Sequence, residues 1–487
     1  MRTTILAALM AGAVPFALSP AAAAIINVPG DEATIQSAID AAVDGDEVVI
    51  APGTYVGPVL VNEKSITVRG SDPNDRPVLA LQGHDSLPGQ GFTSTGFVIS
   101  GDDIEVNVSD LICIPASEDG AARAIQTTTN TTLETITVNF DNILITGNAG
   151  GNAPSVTDPW DDDTDLGTGF SSDGMYLVNR AFLGTLHHGV GKYTLNDVVV
   201  IGAGRDGIII YVTGTADPQA ANADEAFATL TGSAVSRSVR NHLQWGNGND
   251  ATGTYNITGS RENPGLILRN NATGGSPSGS GVSGINGSGA TNIDHLVYVD
   301  NPSPLHIVVS TSNPQDVVVA NSLFANTPDE DALTFTGTGE GTVEVRESTF
   351  FNNGDPADNF ASVWIGNTEL ASGQITENVF GGAGTGAIIV SADAGTNLTV
   401  DHNGLPTSGP DALEETIFGA GAGEVTSFGN LNNDPEFTST DVSSLTALQT
   451  AFDVMGSVYE FASPDVTAIS GWGDFVDGTP VEDWHLY

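Results

Sequence analysis

"VANSLFANT" at 319–327, "VRESTFFNN" at 345–353, "ITENVFGGA" at 375–383 and "VDHNGLPTS" at 400–408 decide how this chain folds. Their starts lie 26, 30 and 25 residues apart, and Phe324, Phe350 and Phe380 hold the same place in the first three. A second motif answers each of those three: "ALTFTG" from 332, "ASVWIG" from 361 and "GAIIVS" from 386. Earlier segments share the form, namely "FDNILITGN", "LNDVVVIGAG" and "LTGSAVSRS". Several short strands repeating every twenty-odd residues mark a solenoid, in which no coil buries its apolar face alone and stacked neighbours complete the core. The phenylalanines are expected to form one internal stack. A β-sandwich would instead show two-residue hairpins and clean polar alternation. Runs such as "DVVVI" and "GIIIY" are continuous, as strands enclosed in a parallel coil should be.

Working outward, "TIQSAIDAAVDGDEVVIAPGTYVGPVLVNEKSITVRG" at 34–70 begins as a helix and turns into strands. Ile35, Ala38, Ile39 and Ala42 form one apolar stripe at three- and four-residue spacing, which predicts a helix over 33–43. Asp31 is the expected N-cap and Gly45 the stop. So small a helix must cover something apolar, and the open end of a coil stack is such a surface.

This opening, "IQSAIDAAVDGDEVVIAPGTY" followed by "SITVRG", resembles the first coil of the right-handed parallel β-helix superfamily that includes pectate lyases, pectin methylesterases and alginate lyases. The resemblance is close over 34–70 and looser along the later repeats. It implies an all-β, single-stranded right-handed solenoid from residue 25 to 433, with a capping helix at its start. It also implies a polysaccharide-directed function, although the matched residues contain no catalytic group.

The two ends depart from the repeat. Residues 1–24 carry Arg2, an apolar run and an Ala-x-Ala ending, the pattern of a secretory signal peptide. Export to the periplasm, the cell surface or the medium is therefore expected. Residues 434–487 are expected to close the far end, with Leu445, Leu448 and Phe452 at helical spacing. The Gly/Ser/Asn-rich stretch 270–293 is expected to be a long excursion from one coil. Cys113 is the single cysteine, which excludes an internal disulfide and reads as a small core residue.

Charge narrows the partners. The chain carries 60 acidic and 13 basic residues, a formal net charge of -47, and its only lysines are Lys64 and Lys192. Such a field repels nucleic acid and anionic membrane. No later stretch is apolar for long enough to span a bilayer. A polyanionic polysaccharide would approach more readily with a divalent cation as a bridge, so Ca²⁺ is the expected cofactor and no organic one is.

Superposing "DVVVIGAGRDGIII" from Asp197 on "GSAVSRSVRNHLQW" from Gly232 needs no gap. Arg205 then falls on Arg240, Asp206 on Asn241 and Gly207 on His242, while "SSDGMYLV" brings Asp173 into register with Asp206. Successive coils lie about 4.8 Å apart. One solvent-exposed face carrying Asp173, Arg205, Asp206, Arg240 and His242 is therefore the expected catalytic surface, with Arg237 and Trp245 contacting substrate. A lyase must neutralise a uronate carboxylate and remove the adjacent proton, which suits Arg205 with Arg240 or His242 as base. A glycoside hydrolase would instead need two carboxylates, here Asp173 and Asp206. A structural ladder of Arg and Asp is the plain alternative.

Other motifs are weaker. "DPWDDDTDLG" at 158–167 gathers Asp161, Asp163 and Asp165 as hard oxygen donors for calcium, without the glycine and glutamate of an EF-hand loop. His187 and His188 are adjacent and would face opposite ways on a strand. Trp364, in "ASVWIG", would stack on a sugar ring if exposed. The function expected is an exported polysaccharide-active enzyme of lyase type, or alternatively a non-catalytic surface or matrix protein that binds carbohydrate.

Overall fold

The protein, seen in a computed structural model, is described for 22–82, 95–115, 123–128, 134–146, 173–178, 189–213 and 225–236. From there to 432 it is described apart from short stretches and the segments 270–281, 391–397 and 406–416; beyond 432 only Thr440 and Ala447 are. Every pairing between the described strands is parallel, and each strand pairs with the one a coil later, so the chain winds as a parallel β-helix. Such connections run right-handed. One coil shows the plan: Gln315–Ala320 lies in sheet 1, Leu323–Thr327 in sheet 2 and Leu333–Gly337 in sheet 3.

The expected repeat register is the observed one. Val319 pairs with Val345, Val345 with Ile375 and Ile375 with Val400 along sheet 1. In sheet 2, Phe324 pairs with Phe350 and Phe350 with Phe380, their rings stacked at 4.9 and 4.8 Å between centroids. All three rings are wholly buried. Sheet 2 is enclosed on its outer face too, where Val297, Leu323 and Ala325 pack as a separate apolar cluster. That double burial explains why its strands read as unbroken apolar runs. Cys113 sits in the core, and burial pushes its thiol up to about 12.

At the start, β1 (Ile25–Val28) is followed by α1 (Ile35–Ala41), then β2 (Glu47–Ile50), β3 (Thr54–Gly57) and β4 (Val59–Asn62). The helix is shorter than 33–43, and its cap is Thr34, not Asp31. The Thr34 hydroxyl accepts from the Ser37 backbone N–H at 3.1 Å, and Ser37 Oγ accepts from the Thr34 N–H. Asp31 is already engaged one turn earlier, accepting from the backbone and side chain of Asn27 at 2.8 Å. Ile35, Ala38 and Ile39 face the core, as the stripe requires. Gln36 exchanges two hydrogen bonds with the Leu60 backbone, at 2.7 and 3.1 Å. Lys64 Nζ donates to the carbonyls of Ile39, Asp40 and Ala42, which satisfies the helix C-terminus.

The turn from sheet 1 to sheet 2 is made by one residue with positive φ: Asp110, Asn142, Asp197, Gly232, His295, Asn321, Glu347 and Glu377 in successive or near-successive coils. The residue after it enters the interior. Ser322 Oγ accepts from Leu296 N, Ser348 Oγ from Ser322 N, Asn378 Oδ1 from Ser348 N and Asn403 Oδ1 from Asn378 N. Each of these side chains is fully buried. They supply acceptors at the corner of the coil, where buried N–H groups must be met.

One expectation fails here. Residues 282–294 form a strand that pairs on both sides in two sheets, so the second half of the Gly/Ser-rich stretch belongs to the coil. Its small residues serve close approach: a Cβ on Gly289 would lie 1.9 Å from the Gly253 carbonyl oxygen. The first half, 270–281, and the expected closing segment, apart from Thr440 and Ala447, lie outside the described residues, as does the signal-peptide segment 1–21.

Two stability outcomes follow from these contacts. Phe350→Ala should lose about 3 to 5 kcal/mol in urea-unfolding experiments, since it opens a cavity in mid-stack. Asn378→Ala should lose about 1 to 3 kcal/mol by orphaning the Ser348 N–H, and Asn378→Ser should restore most of it. Equal losses for the Ala and Ser variants would contradict the corner-acceptor role.

Candidate functional site

Sheet 3 carries the predicted face, and its register is as expected. Met175 pairs with Ile208 and with Ile125, and Asp206 pairs with Asn241. Two positions before these core residues, Arg123, Asp173 and Asp206 therefore follow one another at the corner leading into sheet 3. Gly174 and Gly207 come next, and His242 occupies their place one coil on. A Cβ at Gly207 would meet Val235 Cγ1 at 2.3 Å, so this position turns inward.

That inward turn corrects the expected exposure. Asp173 is 2% exposed, and Asp206 and His242 are wholly buried, because flanking residues at a coil corner are enclosed from both sides. His242 Nε2 sits 3.0 Å from Asn301 Oδ1, and burial pushes the imidazole down to about 4. A neutral, enclosed ring of this kind does not meet an external substrate. Trp245, expected to contact substrate, instead fills the core and stacks on Tyr255 at 5.1 Å. Arg205 is half-exposed and does face outward. Arg237, Arg240, the candidate calcium ligands Asp161, Asp163 and Asp165, and His187 and His188 lie outside the described residues. Among the described residues no cluster of three or more metal-ligating side chains occurs.

Around Asp173 the described side chains form a compact constellation. Arg123 Nε lies 3.4 Å from Asp173 Oδ2, and Arg205 Nε lies 3.8 Å from Oδ1. The Asp206 backbone N–H donates to the same oxygen at 3.4 Å. Burial pushes the Asp173 carboxyl above its ordinary range; Arg205 and Arg123 oppose that shift, and the neighbouring Asp206 adds to it. Arg123 also donates to Gln126 Oε1 at 2.9 Å and lies 3.6 Å above the ring centre of Tyr176. Gln126, Tyr176, Ile209 and Gln244 continue as the row of sheet 3 turned away from the core, with Gln126 and Ile209 buried and Tyr176 and Gln244 half-buried.

Arg123, Gln126 and Tyr176 were not anticipated from the sequence. The signal was present, because "RAI" at 123–125 takes the register of "DGM" at 173–175 and "DGI" at 206–208. Extending the superposition one coil earlier would have found the cation. The register of Asp173 and Asp206 is the expected one, whereas their enclosure is not readable from spacing.

The same corner position recurs at Asp331, since Leu305 pairs with Leu333 and the acid stands two residues before it. Asp331 Oδ1 accepts from the Ala361 backbone N–H at 2.7 Å, yet burial, aided by Glu330, pushes the carboxyl up to about 6. A cavity of about 400 Å³ lies elsewhere, between α1 and β3–β4, and is lined by Thr34, Gln36, Tyr55, Val56 and Leu79 among others. It holds none of the expected site residues.

No protein-family model matches the chain, and no curated protein matches it in sequence. Among solved structures it is similar to the A-module of the Azotobacter vinelandii mannuronan C-5 epimerase AlgE6. Identity there is 14%, the TM-score is 0.41, and the match covers 82% of this chain and 95% of that one. It is also similar to an alginate lyase from Paenibacillus sp. str. FPU-7, at 14% identity and a TM-score of 0.31 over 84% and 99% of the two chains. A GH136 lacto-N-biosidase from Eubacterium ramulus matches at 10% identity and a TM-score of 0.38, over 85% and 68%.

The raised Asp331 carboxyl has a stability consequence with a defined sign. The folded state holds this proton more tightly than the unfolded chain, so its burden is absent at acid pH and fully present above about 6. Asp331→Asn keeps an acceptor for Ala361 and removes the charge. It should match the parent near pH 4 and exceed it by about 1 to 2 kcal/mol near pH 8, a figure reduced for partial solvent screening. A gap that does not widen between those pH values would contradict the assignment.

Proposed function

We propose that the protein is exported and acts on an acidic polysaccharide laid along the outer face of sheet 3, by elimination next to a uronate carboxylate. The observation that carries this reading is the anchored arginine pair. In a chain with 13 basic residues against 60 acidic ones, Arg123 and Arg205 converge on one buried carboxylate. Arg205 is pinned by Asp173 at 3.8 Å and remains half-exposed, so it offers a fixed cation to a substrate carboxylate where the overall field is repulsive. Arginine suits that task because its planar fork matches a carboxylate.

Neutralising the carboxylate acidifies the proton on the adjacent carbon. A base then takes that proton, the electron pair forms the ring double bond, and the glycosidic oxygen departs and is protonated. Arg240 is the proposed base, one repeat after Arg205 in the sequence register. His242 is set aside because it is enclosed and faces Asn301. Ca²⁺ as a bridge between acidic protein and acidic polymer remains part of the proposal, with Asp161, Asp163 and Asp165 as donors of the right chemistry.

A second reading, binding without turnover, is favoured by one fact: Asp173, Asp206 and His242 are all enclosed. The two readings separate in one assay on alginate and polygalacturonate, with added calcium or a chelator. Elimination creates an unsaturated uronate that absorbs in the ultraviolet, and binding alone does not. If the lyase reading holds, Arg205→Ala should raise KM, and Arg240→Ala should cut turnover by about a hundredfold with the melting temperature unchanged. Absence of any absorbing product from both polymers would reject elimination.

A further inference from the structure

The outward row of sheet 3 that carries Tyr176 continues through later coils, and its far end has a distinct composition. His306 pairs with Thr334, and Thr334 with Trp364. Trp364 is half-buried, whereas the other described tryptophan, Trp245, is enclosed in the core. Its neighbours Val363 and Ile365 point into the core, so the indole stands on the outer face.

Gly366 explains how the ring lies. A Cβ there would come within 2.6 Å of Trp364 Cη2 and 2.9 Å of both Cζ2 and Cζ3. The six-membered ring therefore rests against the backbone of Gly366 and occupies the space that any larger residue would fill. The polar groups around it are held in place. Asp331 accepts from Ala361 N at 2.7 Å, Thr334 Oγ1 lies 3.5 Å from Asp331 Oδ2, and His306 Nε2 lies 2.7 Å from Thr336 Oγ1. Ordered donors and acceptors beside an aromatic platform are the two features that a pyranose ring needs, one for its hydroxyls and one for its C–H face.

We propose that Trp364, with Asp331, Thr336 and His306, forms a distal carbohydrate subsite that stacks a sugar ring about six coils from Tyr176, roughly 29 Å at about 4.8 Å per coil. The ligand class rests on the reading given above, while the subsite itself rests on the Trp364–Gly366 geometry. Asp331 and Glu330 flank the platform, so it takes the hydroxyl and C–H surfaces of a ring and not its carboxylate. The polymer would thus be gripped by charge at Arg205 and by stacking at Trp364.

The test is a titration of the full chain with long-chain alginate and polygalacturonate, read by calorimetry, for the parent and for Trp364→Ala, Trp364→Phe, Gly366→Ala and Arg205→Ala. Trp364→Ala should weaken binding of the better polymer by about tenfold, the scale of one lost stacking contact. Trp364→Phe should recover most of it. Gly366→Ala should also weaken binding, since the added methyl displaces the ring without removing it, and it keeps the test valid should Trp364→Ala fold poorly. Loss in Trp364→Ala with no effect of Arg205→Ala would uphold the subsite and reject the arginine site. Affinities within twofold of the parent for Trp364→Ala and Gly366→Ala would overturn the subsite. So would equal losses for the Phe and Ala variants, or no binding of either polymer by the parent.

Discussion

A buried backbone N–H at the bend between two sheets is the constraint on which the coil depends. Within a sheet the ladder to the next coil satisfies each N–H, and at the bend that ladder is broken. Ser322, Ser348, Asn378 and Asn403 answer it with side-chain acceptors, each serving the coil before its own. A second series follows near the end of sheet 2, where Asn326 donates to Asp300 and Asn352 to Asn326. These bonds hold neighbouring coils in one register, and the aromatic stack fills the volume so defined. A slip of one residue would turn the stacked phenylalanines out of the core and would also remove every one of these acceptors from its N–H.

The same bends account for part of the composition. A residue with positive φ costs least when it is Asn, Asp or Gly, and most of the bend positions carry one of these or a glutamate. The acidic side chains at these places point away from the interior and add to the net charge without burdening the core. Against that background the few arginines are informative. Arg69 pairs with Glu47, Arg269 with Asp300, and Arg346 with Glu344 and Glu347, each beside its own acid. Arg123 and Arg205 differ in that two of them share one enclosed carboxylate.

Repeat spacing made the fold legible. Phe324, Phe350 and Phe380 recur at one place, and Val198–Val200 superpose on Ser233–Val235 without a gap, so the order of residues along each sheet follows directly. Exposure was not legible in the same way. Alternation along a strand says which side chains oppose one another, but Asp173, Asp206 and His242 stand at a corner where alternation is suspended. The cap of α1 was misread for a local reason: Asp31 and Thr34 are both good caps, and Asn27 already claims Asp31. The strand at 282–294 is hidden in the sequence by its Gly/Ser/Asn-rich composition. Glycine there serves the close approach of two backbones, which resembles a linker in sequence and is its opposite in structure.

Gln36 makes with Leu60 the pair of hydrogen bonds that a strand of an earlier coil would make. The helix is thereby a counterfeit strand, terminating sheet 3 with a side chain instead of a backbone. A second molecule arriving at that edge finds its donor and acceptor spent, and the three carbonyls bound by Lys64 close the helix end beside it. Sheet 3 is left a single direction of growth, toward the C-terminus. Coils can then be laid down in the order in which an emerging chain supplies them, each on a template that is already complete.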